Sequence, residues 1–200
     1  MRVVVYDYGA GNLHSLCTAL AGGGRVLHVE SDAARLVDGD LLVLPGVGAF
    51  SQAAAGLAAA RTSLRDALRN GHPCLGICLG AQLLMDSSEE GTGPGLGLIP
   101  GRVTRLQARR APHIGWNEVS GSEPLLADSG LELAWFAHGF ACRPDQPGYA
   151  TAWCRHEGDR FPAVLRAART IGVQFHPEKS SEPGRRFLRR AVDAVLTEAP

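Results

Sequence analysis

The segment Cys74-Leu75-Gly76-Ile77-Cys78-Leu79-Gly80 constrains this chain more than any other. An apolar run meets a cysteine centred between two glycines. That is the layout of a strand that ends, bends sharply at one residue and begins a helix. Side chains at the two glycine positions would collide with the neighbouring strand or helix. The bend holds the Cys78 sulfur at the carboxyl end of a sheet, over a helix N-terminus, which favours a thiolate.

The flanking segments supply the sheet that such an elbow requires. Val3–Tyr6, Val26–Val29, Leu41–Leu44 and Cys74–Ile77 read as buried parallel strands. Between them lie helical patterns over Asn12–Ala21, stopped by Gly22-Gly23-Gly24, and over Ser51–Arg69. In the second of these Leu57, Leu64 and Leu68 share one stripe, and Gly71 follows as a cap. This alternation predicts an α/β fold with a mostly parallel central sheet and helices on both faces. The second half changes character. Glu89–Pro100 reads as a glycine-rich loop. Val103–Leu106, Leu133–Ala137, Tyr149–Cys154, Ala163–Arg166 and Ile171–Phe175 read as strands, mostly antiparallel additions to the sheet. Arg185–Leu196 reads as a terminal amphipathic helix. No repeat or linker divides residues 1–200, so one domain is expected.

Composition excludes several functions. Twenty Lys and Arg balance twenty Asp and Glu, so there is no electrostatic case for nucleic acid or an anionic membrane. No apolar run approaches the ~20 residues of a bilayer span, and Met1–Asp7 enters a strand pattern without the apolar core of a signal peptide. The five cysteines, Cys17, Cys74, Cys78, Cys142 and Cys154, are odd in number and scattered in spacing. No disulfide framework, zinc site or other metal site is expected, and a reducing cytoplasm is the simplest compartment.

His176-Pro177-Glu178 supplies a candidate base for Cys78. Proline disfavours the helical conformation at the residue before it, so His176 is expected to be extended. Residues i and i+2 of an extended segment point to one side, which brings the Glu178 carboxylate to the imidazole. A carboxylate accepting from one ring nitrogen leaves the other free to act as base. If Ile171–Phe175 runs parallel to Cys74–Ile77, both motifs lie on one sheet edge. Leu44-Pro45-Gly46-Val47-Gly48 follows another strand and reaches the same edge. There the backbone N–H groups of Val47, Gly48 and Leu79 can form an oxyanion hole. Gly9-Ala10-Gly11-Asn12-Leu13-His14 is a poor dinucleotide loop, because His14 occupies the third small position; a loop contacting a partner fits better.

These residues resemble the class I glutamine amidotransferases. Gly76 to Gln82 (Gly-Ile-Cys-Leu-Gly-x-Gln) and Gln174-Phe175-His176-Pro177-Glu178 look like the two signatures of that class. Four segments narrow the resemblance to the glutaminase subunits of imidazole glycerol phosphate synthases: Asp7–Leu13, Pro45–Phe50, Pro112–Asn117 and Glu178–Ser180. The resemblance implies a flavodoxin-like fold, a Cys78–His176–Glu178 triad, and no cofactor. It implies hydrolysis of L-glutamine through a cysteine thioester, with Gln82 lining the glutamine pocket. The ammonia would pass to a (β/α)8-barrel cyclase subunit that makes imidazole glycerol phosphate and AICAR in histidine synthesis. A 1:1 heterodimer is implied, with Asn12, Ile114, Trp116 and Lys179 at or near the interface. The family's usual His-Ser/Thr-Tyr is here His138-Gly139-Phe140, so any hold on glutamine at that point must come from backbone. The alternatives are a glutaminase of another pathway, such as pyridoxal phosphate synthesis, or a non-catalytic module that kept the fold.

Overall fold

The structure is a computed structural model, and it describes residues 1–9 and 13–197. Its elements, in chain order, begin with β1 (Arg2–Tyr6), α1 (His14–Leu20), β2 (Val26–Glu30), β3 (Leu41–Leu44), α2 (Phe50–Leu57) and α3 (Arg61–Arg69). β4 (Cys74–Ile77), α4 (Leu79–Gln82), β5 (Ser87–Ser88), β6 (Gly101–Arg105), β7 (His113–Glu118) and β8 (Ser120–Gly121) follow. The chain continues through α5 (Pro124–Ser129), β9 (Leu133–His138), β10 (Phe140–Pro144), β11 (Ala150–His156), β12 (Asp159–Ala167), β13 (Thr170–Val173) and α6 (Ser181–Thr197).

An eight-stranded sheet of order β2-β1-β3-β4-β13-β12-β11-β8 forms the centre. The first five strands are parallel, and β12, β11 and β8 continue it antiparallel. The apolar runs divide by the two-residue period of a strand. Val3, Val5, Leu41 and Val43 join the core beneath α1, α5 and α6. Val4, Tyr6, Leu42 and Leu44 join the core beneath α2 and α3. Burial on both faces explains why these strands show no polar alternation.

Four expectations are corrected. The Val26–Val29 strand is not buried: β2 is the edge of the sheet, and Val26 and Val29 are 66% and 48% exposed. The helix expected over Ser51–Arg69 is two helices, because Ala58 and Ala60 donate to Ala55 and Leu57 in tight turns that end α2 before α3 begins. The later strands do not all join the main sheet: β6 pairs with β10 and β5, and β7 pairs with β9, in two separate ribbons. Period-two patterning marks a strand and a buried face but not its neighbour, so β7, β10 and their partners are set by tertiary packing. Finally, α6 starts at Ser181, four residues before the expected Arg185. The 89–100 segment carries no helix or strand, as expected, yet Leu96 and Ile99 within it are fully buried. The helix expected from Asn12 is seen from His14; Asn12 lies outside the described residues.

Candidate active site

Cys78 closes β4 at φ 48° and ψ −104°. This backbone costs on the order of 1–3 kcal/mol and persists only where packing enforces it. Enforcement is visible on every side. The Cys78 N–H donates to the Val173 carbonyl at 2.6 Å, a bond made possible because β13 runs parallel to β4 in the register Val173 to Ile77. A Cβ on Gly80 would run into the Leu44 carbonyl, and one on Gly76 would sit 2.7 Å from the Gly80 oxygen. Both glycines are thus required by close approach. The helix behind the elbow is only Leu79–Gln82. One turn aligns few peptide dipoles, so the helix contributes less to a thiolate than the sequence pattern implied.

His176 stands at the same sheet edge with φ −102° and ψ 93°, extended as the following proline requires. Pro177–Lys179 then forms a short 3-10 turn. Glu178 therefore reaches back through a turn rather than along an extended strand. Its Oε1 lies 2.8 Å from His176 Nδ1. The segment is clasped to β9: His176 N–H donates to the Trp135 carbonyl at 2.8 Å, the Ser180 hydroxyl donates to the His176 carbonyl at 2.6 Å, and Trp135 N–H donates back to that hydroxyl at 2.9 Å. Burial pulls the imidazole's proton affinity down, but the Cys78 sulfur and the Glu178 carboxylate outweigh it and push the His176 pKa up to about 10. Gly46 packs over the pair; a Cβ there would lie 2.8 Å from His176 Cε1 and 2.9 Å from Cys78 Cβ.

A cleft of about 130 Å³ opens beside the sulfur, bounded by Gly46, Gly48, Leu79, Gln82, Glu90 and the Ala137–Phe140 segment. Gly48 reaches it with φ 95°, whereas the Val47 side chain packs on the core. Leu79 begins α4, where helix geometry leaves its N–H without an intrahelical acceptor. Gln82 is buried; its Nε2 donates to the Phe140 carbonyl at 2.9 Å and to Gln174 Oε1 at 3.3 Å. Phe140 has no hydroxyl to offer, and its ring lies under the Arg105 guanidinium, 5.1 Å away.

Three residues of this site carried no role in the sequence reading. Gln174 Nε2 points at Cys78 Sγ from 3.6 Å; its place inside the His176 motif was the only signal. Glu90 brings a carboxylate to the cleft from a segment without periodicity, and one of its oxygens accepts from Phe50 N–H at 3.2 Å. His138 lines the cleft as well. Of the expected partner-facing residues, Ile114 and Trp116 are 65% and 49% exposed on the outer face of β7. Leu133, 52% exposed, lies with Trp116 along a surface hollow of about 360 Å³. Lys179 is exposed. Among the described residues, no cluster of three or more His, Cys, Asp or Glu side chains is placed to hold a metal, and no helix is long and apolar enough to cross a membrane.

The arrangement is that of an α/β protein with a cysteine on a strained elbow beside a carboxylate-held imidazole. The chain belongs to the glutamine amidotransferase class-I family, whose model matches residues 4–194. Within that family it is 43% identical to "Imidazole glycerol phosphate synthase subunit HisH" of Halobacterium salinarum, an alignment covering 96% of this chain and 92% of that relative. It is 39% identical to the protein of the same name from Synechococcus sp. (strain JA-3-3Ab), over 100% of this chain and 97% of the relative. Solved structures share the fold at lower identity. A glutamine amidotransferase crystal structure aligns with TM-score 0.74 and 19% identity, covering 96% of this chain and 98% of that one. A chain in the structure of PurLQS from Thermotoga maritima aligns with TM-score 0.73 and 20% identity, covering 96% and 97%.

Proposed function

We propose that this chain is a glutaminase subunit of imidazole glycerol phosphate synthase, acting as one amidotransferase domain in the cytoplasm. The observation that carries the reading is the meeting of Cys78, His176 and Glu178 at one sheet edge in a chain similar along its whole length to such subunits. Glutamine enters the cleft with its side-chain amide at Cys78. The Glu90 carboxylate suits the substrate's α-ammonium, and the backbone of Gly139 and Phe140 replaces the missing hydroxyls. His176 already holds the proton of the Cys78–His176 pair, and Sγ bonds to the amide carbon as a thiolate. The resulting oxyanion is held by the N–H groups of Leu79 and the Val47–Gly48 loop. His176 then gives its proton to the departing nitrogen, releasing ammonia and leaving a thioester. Water, deprotonated by His176, attacks the thioester; Cys78 leaves as thiolate and glutamate is formed. Glu178 holds the imidazole in one tautomer throughout.

Ammonia then passes to a cyclase partner, a (β/α)8 barrel, in a 1:1 heterodimer. Ile114, Trp116 and Lys179 form the docking face. An exposed tryptophan beside two exposed aliphatic side chains is the composition of an interface centre. The test is steady-state glutamine hydrolysis by the chain alone and with the cyclase and its nucleotide ligand. Slow turnover that rises with the partner is expected, since Gly48 lies in the left-handed region and a loop built on glycines can present an N–H in either direction. Equal rates in the two conditions would sink the coupling; no hydrolysis in either would sink the reading.

A further inference from the structure

Two buried histidines outside the triad form a directed hydrogen-bond chain that ends on the cleft wall. His113 and His138 are 4% and 5% exposed. His138 Nδ1 lies 2.8 Å from the Phe140 carbonyl. A carbonyl only accepts, so Nδ1 carries the proton and Nε2 is the acceptor. His113 Nδ1 lies 3.3 Å from that Nε2 and must therefore donate, which leaves His113 Nε2 as an acceptor. Asn117 Nδ2 lies 3.3 Å from it. The Asn117 amide cannot be reversed, because its Nδ2 also donates to the Arg155 carbonyl at 2.9 Å and its Oδ1 accepts from Glu118 N–H at 2.8 Å. Every donor in the series is assigned by its neighbours, and the direction runs from Asn117 on β7 to Phe140.

The far end of the chain meets the site. The Phe140 carbonyl accepts from His138 and also from Gln82, so it is held by two donors. Gln82 in turn touches Gln174, whose amide faces the Cys78 sulfur. His113 is also stacked, with its ring 4.8 Å from Phe136 and 4.0 Å from His156, so its position is set independently of the substrate.

Resting on the glutaminase reading above, we propose that His113 and His138 are positioning residues for the substrate. Their hydrogen-bond chain fixes the Phe140 carbonyl, and with it the Gly139–Phe140 stretch of the wall, at the orientation that binds glutamine in the cleft. The chain does the work that a hydroxyl-bearing pair would do, by fixing backbone where side-chain hydroxyls are missing. Because the wall binds substrate and transition state alike, its loss raises KM and leaves kcat nearly unchanged.

The test compares steady-state glutamine hydrolysis by the wild-type chain and two variants, each assembled with the partner. His113→Phe keeps the stacking and removes both hydrogen bonds, of which only the one to His138 leads to the wall; KM is expected to rise about three- to tenfold, the worth of that one bond, with kcat within twofold. His113→Asn keeps a donor near the Nδ1 position and is expected to recover most of the wild-type KM. Imidazole 15N shifts of the wild-type chain at neutral pH should show both rings neutral and protonated at Nδ1, whether or not the variants fold. An unchanged KM in His113→Phe, a fall in kcat at constant KM, or an Nε2-protonated His138 overturns the proposal. A wild-type chain that hydrolyses no glutamine overturns the functional reading instead, and the proposal with it.

Discussion

His176 Nδ1 lies 2.8 Å from Glu178 Oε1, while the other carboxylate oxygen, Glu178 Oε2, is buried without a hydrogen-bond partner. The negative charge of Glu178 is therefore directed at one imidazole and shared with nothing else nearby. A buried charge with a single partner interacts strongly with it. Glu178→Gln keeps the shape but removes the charge and allows the wrong tautomer. We expect kcat to fall by on the order of 10²- to 10⁴-fold with KM within threefold. A kcat within fivefold of wild type would remove Glu178 from the triad.

Cys78→Ala removes the proposed nucleophile from the strained elbow. Glutamine-dependent synthesis by the assembled pair should vanish, while synthesis from added ammonia, which takes place on the partner, should remain. The two substrates are compared in one assay, and surviving glutamine turnover would exclude Cys78 as nucleophile.

Gly80 and Gly46 should respond differently to alanine. At Gly80 the new methyl meets the Leu44 backbone carbonyl, which cannot move without breaking β3. We expect Gly80→Ala to lose about 3 kcal/mol or more of stability or to fail to fold. At Gly46 the new methyl meets the His176 ring and Cys78 Cβ, so the first casualty is the alignment of the two. Gly46→Ala should lose far more in kcat than in melting temperature. Thermal unfolding and turnover measured side by side decide it, and a Gly80→Ala protein as stable as wild type would show that the close approach is dispensable.

Acid stability follows from the buried histidine pair. Burial, with repulsion from the His156 imidazole, pushes His113 down to about 4; burial, with repulsion from the His113, His176 and His156 imidazoles, pushes His138 down to about 3, from an ordinary 6.5. As pH falls below about 6.5 the unfolded chain takes up protons there that the folded chain refuses, so stability declines from 6.5 towards 4. Each such proton steepens the decline by up to about 1.4 kcal/mol per pH unit. His176 has the opposite sign: its affinity is raised to about 10, so its contribution is complete below 6.5 and fades as pH rises through 10. Urea midpoints between pH 7.5 and 5 should fall less steeply in His113→Asn than in wild type. Parallel slopes would contradict the assignment.

Much of the site could be read along the chain because its parts obey local rules. Gly76 and Gly80 mark a bend that admits no Cβ, and Pro177 makes His176 extended. The parallel strand leading to Cys78 is apolar at every position because it is covered on both faces, and the one leading to His176 is buried throughout although it carries Thr170. Glu90 and His138 were not legible. Each gains its meaning from a contact that only the fold makes: Glu90 from Phe50 N–H, His138 from His113, its cross-strand partner on the β7–β9 ribbon. The break at Ala58–Ala60 was hidden for a similar reason, since alanine is a good helix former and the turn there answers to packing rather than propensity.

From the sequence alone came the candidate nucleophile, base and orienter, the parallel β-α alternation and the kinship of the chain, because backbone conformation and strand burial are imposed by residues next to one another. Tertiary structure alone decided which strands of the second half pair and that the Phe140 carbonyl is held by two donors. Those depend on hydrogen bonds between residues far apart in the chain, such as Gln82 to Phe140 and His113 to His138. No local pattern encodes such a bond, since a donor shows in the sequence but the acceptor it finds is chosen by the fold.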